Sequence, residues 1–172
     1  EDALGHRFEG VQIKETLEAA VLEGKYGKPK AINVGRGIAL GDRPPGGGEG
    51  HAAVTLCPTG FAVLGTPIFE QGAGSYSLEM QVVAEELNIS MDYISLEIWN
   101  TGKVSFDSGV GGSRVTRVGT QVAYAATHEA IKQLIQLAAE LLSIPEEKLS
   151  FREGMLHNEG TDETYMWGEL LD

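Results

Sequence analysis

The 172-residue chain is poor in several things that define protein classes. It holds one cysteine, Cys57, so no internal disulfide can form and a reducing cytoplasm is the expected compartment. Cys57 closes the run "AAVTLC" and is expected to be a buried, inert thiol. Basic residues are scarce: 13 Lys and Arg stand against 25 Asp and Glu, for a net charge of -12. Nucleic acids and anionic membranes are bound through basic patches, so neither is an expected partner. No apolar run approaches the roughly 20 residues that cross a bilayer. The chain opens without Met and without a basic-headed apolar signal, and an upstream segment is expected to be missing.

Familiar chemical motifs are missing too. There is no Gly-x-Ser-x-Gly elbow. His6, His51, His128 and His157 lack zinc-type spacing, and His128-Glu129 has no second histidine a turn away, so no metal held directly by side chains is expected. "GGGEG" at 46–50 is not followed by a Walker lysine and reads as a loop. "NIS" at 88–90 fits a glycosylation acceptor, but nothing else suggests secretion.

Glycine, by contrast, is plentiful at 23 residues, clustered in turns rather than in a fixed repeat. Residues 11–26 carry Ile13, Leu17, Ala20, Val21 and Gly24 at helical spacing, and Gly27 and Pro29 stop them. "AINVGRGIALGD" alternates weakly and predicts a strand. "HAAVTLCPTGFAVLGTPI" predicts two strands around the turn Pro58-Thr59-Gly60. A helix with Met80, Val83, Ala84 and Leu87 inward follows, capped by Ser75 or Ser77. "DYISLEIWNT" alternates as a half-buried strand, with Ile94, Leu96 and Ile98 on one side. The longest helix runs from about Val115 to Leu142, made of small residues first and Ile or Leu later. A hairpin turning at Glu153-Gly154 comes next, and then a short helix capped by Thr161 or Asp162, with Trp167 and Leu171 inward. Hairpins mixed among helices predict an α+β fold: a mixed, mostly antiparallel sheet covered by two long helices and shorter ones. No linker divides residues 1–172, which are expected to form a single lobe.

Two glycine-rich loops enter helices: "EQGAGS", Glu70 to Ser75, and "GVGGSRVT", Gly109 to Thr116. Helix-start amides lack intrahelical partners and attract anions, and glycine permits close backbone approach. Gln71 adds an amide able to donate and accept. Arg114 and Arg117 are odd at a helix start, where the dipole is already positive. They make sense if a phosphate-bearing ligand lies there; equally, they could pair with the chain's abundant carboxylates.

The same residues carry a likeness. "GTPIFEQGAGSYSLEMQVVAEELNISMDYISLEIWNT", then "DSGVGGSRVTRVGTQVAYAA", with "GRGIALG" and "GGGEGHAAVTL" before them, resembles the molybdenum-binding large subunit of the xanthine dehydrogenase/aldehyde oxidase family of molybdenum hydroxylases. The likeness runs from about Val11 to the C-terminus, and its specificity lies in the ordered set of loops. It implies a molybdopterin cofactor with molybdenum, in bacterial members usually the cytosine dinucleotide form. It implies hydroxylation of a purine, another N-heterocycle or an aldehyde, with electrons passing to iron–sulfur clusters and FAD on partner domains or subunits. By position, Gln71 and Gly72 would touch the pterin or its phosphate. Gly111, Gly112 and Ser113 would lie near the molybdenum ligands or pyrophosphate, and Arg114 would join them. The family's upstream Gly-Gly-Phe-Gly-Gly loop is absent here. So is its Gly-x-Gly-Glu segment, which carries the catalytic base, so no catalytic residue is assigned; Glu70 does not match that position. The chain then reads as a fragment, inactive alone, whose partners are the remaining lobes of the large subunit and the iron–sulfur and flavin units. The rival readings are a non-catalytic assembly module, using the small-residue helix face at 122–130, and a free-standing nucleotide-binding domain.

Overall fold

A computed structural model of the chain describes residues 7, 10–41, 45–104 and 106–171. Two compact units divide at Pro44/Pro45.

Among its described residues the first unit contains one helix, α1, Ile13–Glu23. No residue of α1 is buried; Leu17 and Val21, on the predicted face, are only half-buried. The chain leaves α1 through Gly24 and Lys25, which takes a left-handed φ of 50°. Arg36 folds back on this exit and donates to the carbonyls of Lys25, Tyr26 and Lys28. The strand expected over "AINVGRGIALGD" does not form: residues 31–41 make one turn and otherwise irregular backbone, and Asp42 lies outside the described residues. A strand exists only through bonds to a neighbour, and weak alternation around Gly35 and Gly37 does not supply one.

The second unit holds the rest. β1, Ala53–Leu56, and β2, Ala62–Thr66, form the expected hairpin, with Val54 opposite Leu64. Its turn closes through the Gly60 amide to the Cys57 carbonyl. After β2 the chain crosses through α2, Ser75–Leu87, and returns as β3, Ile94–Ile98, parallel to β2, with Leu64 beside Leu96. Alternation along β2 and β3 sends Ala62, Leu64 and Ile94 inward to meet Val83, Ala84 and Leu87 of α2. Ile98, at the end of the same row, is 56% exposed, because the core ends before it does.

A π-helical turn, Val115–Gly119, leads into α3, Thr120–Leu142. At 23 residues α3 is about 34 Å long, enough to serve two cores. Ala123 near its start packs into the first core; Leu134 and Ala138 belong to a second core with Leu149, Leu156 and Trp167. β4, Leu149–Arg152, and β5, Met155–Asn158, pair antiparallel around Glu153 and Gly154, whose φ values of 53° and 74° give the doubly left-handed turn that hairpins favour. β6, Glu163–Tyr165, extends this sheet, and α4, Trp167–Leu171, closes the chain.

The α+β class stands, with one antiparallel and one mixed sheet of three strands each. Two details differ from expectation. Thr161 and Asp162 cap no helix; they turn the chain into β6, since "ETY" finds the open edge of β5. Cys57 is half-buried rather than buried. Its carbonyl accepts from the Trp167 indole at 3.1 Å, which ties α4 to the first hairpin. Gly168 is required there, because a Cβ would stand 2.3 Å from the Pro58 carbonyl oxygen.

Candidate functional site

Beyond β2 the chain buries Ile68 and then exposes Phe69 to Gly74. Neither serine caps α2: the N-cap is Gly74, at φ 79°, and it offers no side chain. Glu70 takes that role. Its carboxylate accepts from the amides of Gln71 at 2.9 Å, Ala73 at 2.7 Å, Gly74 at 3.0 Å and Tyr76 at 3.4 Å. Desolvation pushes the Glu70 carboxyl up, but the backbone donors outweigh it and hold it below the usual carboxylate range. The anion at the start of α2 is therefore the protein's own.

The second loop is built around Arg114, which is 3% exposed. Its guanidinium donates to the carbonyls of Gly47 at 2.9 Å, Gly109 at 3.1 Å and Glu49. Asp107 Oδ2 lies 3.9 Å from it, and Asp107 Oδ1 accepts from the Gly109 amide at 2.6 Å. The Gly46 amide donates to the Gly112 carbonyl at 2.6 Å. A Cβ on Gly46 would sit 2.3 Å from the Gly111 carbonyl oxygen, so only glycine lets the two backbones meet. Thus "GGGEG" and "GVGGSR", joined by bonds that span 65 and 67 residues of sequence, form one clasp around a buried cation.

Beneath both loops lies Glu79, fully buried on α2. Helical side chains lean toward the N-terminus, which turns its carboxyl toward Ser75, one turn earlier and 1% exposed. Gly119 leaves room for it: a Cβ there would be 2.6 Å from Glu79 Oε1. Burial raises the Glu79 carboxyl's pKa, the nearby Thr66 hydroxyl opposes the rise, and the Asp107 charge adds to it. Thr66 Oγ1, accepting from the Ile68 amide at 3.3 Å, makes no hydrogen bond of ordinary geometry to Glu79.

The six residues expected to hold cofactor fall into two groups. Gln71, Gly72, Gly111 and Ser113 are exposed and Gly112 is half-buried, so all five can be reached by a ligand. Gly72, Gly112 and Ser113 are left-handed, with φ of 88°, 57° and 59°. Arg114 is not reachable: its charge is spent on backbone carbonyls and Asp107. Arg117 stays exposed one turn on. The two loops approach each other at Phe69 and Gly109, where a Cβ built on Gly109 would stand 4.0 Å from the Phe69 ring. The grooves along α2 and α3, beside β1 and α3, and under the Glu153 turn have neither Gln71 nor Ser113 in their walls. Sequence reasoning missed Glu79 and Asp107. The signal for Glu79 was present, since Ser75, Glu79, Val83 and Leu87 recur every four residues and the first two are polar on a buried face.

The sequence model of the molybdopterin cofactor-binding domain family matches residues 12–172. The carbon monoxide dehydrogenase large chain of Hydrogenophaga pseudoflava is 26% identical over 112 residues, 65% of this chain and 14% of that protein. The aldehyde oxidoreductase molybdenum-binding subunit PaoC of Escherichia coli O157:H7 is 28% identical over 127 residues, 73% of this chain and 16% of that protein. Among solved structures, a Cu,Mo-CO dehydrogenase in the carbon monoxide reduced state superposes with a TM-score of 0.62 at 26% identity, over 69% of this chain and 15% of that one. The chain thus spans about a seventh of the length of the relatives it matches. A match over nearly every described residue, both glycine loops included, assigns the chain to the molybdopterin cofactor-binding domain family.

Proposed function

We propose that this chain forms one wall of the molybdopterin site in the large subunit of a molybdenum hydroxylase. When bound, the cofactor would supply two-electron oxidation of a purine, N-heterocycle or aldehyde, with the new oxygen coming from water. The chain's own part is to bind and orient. The observation that carries this reading is the pair of matched loops, which leave Gln71, Gly111 and Ser113 exposed while Glu70 holds the α2 amides and Arg114 the loop carbonyls behind them. Exposed amides at left-handed positions, with an amide side chain and a hydroxyl beside them, suit a ligand rich in phosphate and ring-edge acceptors.

The fit has a limit. Glu70 fills the α2 amides and Arg114 fills the carbonyl ring, so neither joins the cradle without rearrangement. Gln71 through its side chain, and Gly111, Gly112 and Ser113, are the residues proposed to hold the cofactor. Arg114 is reassigned to positioning the Gly109–Ser113 loop. The catalytic base, the remaining cradle, the iron–sulfur and flavin groups and the cytosine dinucleotide form belong to the proposed whole enzyme, outside these residues.

The test is made in the full subunit. Replacing Gln71 and Ser113 together by alanine should lower bound molybdenum, measured by mass spectrometry, and released pterin, measured by fluorescence, by tenfold or more. Unchanged content would refute the reading. It would instead favour a non-catalytic assembly module, supported by the apolar groove that Leu78, Val82 and Tyr124 form between α2 and α3.

A further inference from the structure

Four buried side-chain oxygens have no hydrogen-bond partner among the described residues, and they gather in one place: Ser75 Oγ, Glu79 Oε1, Glu79 Oε2 and Asp107 Oδ2. Ser75 and Glu79 stand one helical turn apart on the inward face of α2. Asp107 is close enough for its charge to act on Glu79. Buried polar atoms in folded proteins are paired almost without exception, and each orphan is costly. Four orphans in one neighbourhood therefore point to a bound group.

The character of that group follows from charge and from donor count. Two carboxylates share the neighbourhood, and among the described residues the cationic side chain beside them is Arg114, 3.9 Å from Asp107. Ionised, the three groups leave one negative charge uncompensated in a desolvated interior, which is unfavourable. A proton on Glu79 would cancel it, with the Thr66 hydroxyl as an acceptor, but would leave Ser75 Oγ, Asp107 Oδ2 and the other Glu79 oxygen unpaired. A cation cancels the charge and takes up the oxygens together. Carboxylate and hydroxyl oxygens are hard ligands, which excludes soft metals. A divalent ion would overcharge a site already served by Arg114, and among the described residues no three His, Cys, Asp or Glu side chains gather as such a metal would need.

We propose that Glu79, Asp107 and Ser75 form a buried site for a monovalent hard cation, sodium or potassium, beneath the two glycine loops. Thr66 supplies a further hydroxyl at its edge. Because Asp107 also holds the Gly109 amide and faces Arg114, the ion would brace the loop that carries Gly111–Ser113. Proton and cation compete for Glu79, so the ion's effect should fade in acid. The inference does not require the cofactor and survives if the cofactor reading fails.

The experiment compares thermal unfolding of the full subunit in sodium, potassium and choline chloride at equal ionic strength, with ²³Na relaxation as a direct probe of binding. The expected result is a midpoint about 2–4 °C higher in sodium or potassium than in choline, saturating with concentration. Excess ²³Na relaxation, displaced by potassium, should accompany it. Both should be lost in Glu79→Gln and in Asp107→Asn. Equal midpoints in the three salts with no excess relaxation would overturn the proposal. A cation response that persists in both variants would overturn it as well. Should a variant fail to fold, the wild-type relaxation measurement still decides.

Discussion

Two buried ionisable side chains set the chemistry behind the loops. Glu79 is raised because burial disfavours its charge, with Asp107 adding to the effect. The folded state therefore binds this proton more tightly than the unfolded chain. Its contribution to stability is full below the ordinary carboxylate range and is lost as pH rises through the raised value. In choline buffers, which offer no competing small cation, the unfolding midpoint of wild type should fall over that window relative to Glu79→Gln, whose neutral amide does not titrate. Identical pH profiles would show that Glu79 carries no strained proton. Arg114 acts differently: buried itself, it donates to three loop carbonyls and faces Asp107. Arg114→Ala should cost about 3 kcal/mol, because a buried guanidinium's bonds to three loop carbonyls and its pairing with Asp107 are lost together. Lysine should not rescue it, having one donor centre where the fork has three. Urea unfolding of both variants checks this.

At the level of elements, the starts of the two helices resolve the same electrostatic problem in opposite ways. α2 begins at Gly74 with no side-chain cap, and Glu70 reaches forward to collect four amides. Glu70→Gln keeps the size but removes the charge that strengthens those bonds. The amides of Gln71, Ala73, Gly74 and Tyr76 should then exchange with solvent measurably faster, while amides in the middle of α2 keep their protection; uniform protection would show that Glu70 is incidental. The α3 side begins with a π-helical turn and an arginine, arranged so that the arginine points into carbonyls and not toward the amide end. That geometry answers why a cation precedes a helix N-terminus here. Its charge is compensated laterally, by the 46–50 loop and Asp107.

For the molecule as a whole, α3 is the shared beam of the second unit, joining the core under β1–β3 to the core under β4–β6. The Trp167 indole bond to Cys57 is a second tie between them. Trp167→Phe removes that donor and some packing, at about 1–3 kcal/mol. The transition should stay cooperative in tryptophan-fluorescence and far-ultraviolet dichroism unfolding curves, because α3 still couples the cores. Separate transitions by the two probes would mean that the indole, not α3, holds them together. The first unit has its own character: α1 buries nothing, and Ile32, Leu22 and Leu40 are 90%, 76% and 64% exposed. Apolar side chains so placed contribute little to its stability.

The sequence by itself determined the α+β class, the two hairpins, the existence of α2, the extent of α3 and the two glycine loops that enter these helices. These rest on short-range rules: periodicity, turn chemistry and the conformations open to glycine. It could not decide where long-range partners lie. The weak strand over 31–42 had the pattern but no neighbour to bond, and "ETY", short and polar, became a strand because β5 offered an edge. Arg114 appeared free to meet a phosphate until the 46–50 loop was brought against it, 65 residues away in sequence at Glu49. Glu79 was one acid among 25 until folding removed its water and placed Asp107 beside it. A side chain's type fixes what it can bond. Only the packed chain decides which partners it has and whether water remains, and on those two conditions its charge, its pKa and its role depend.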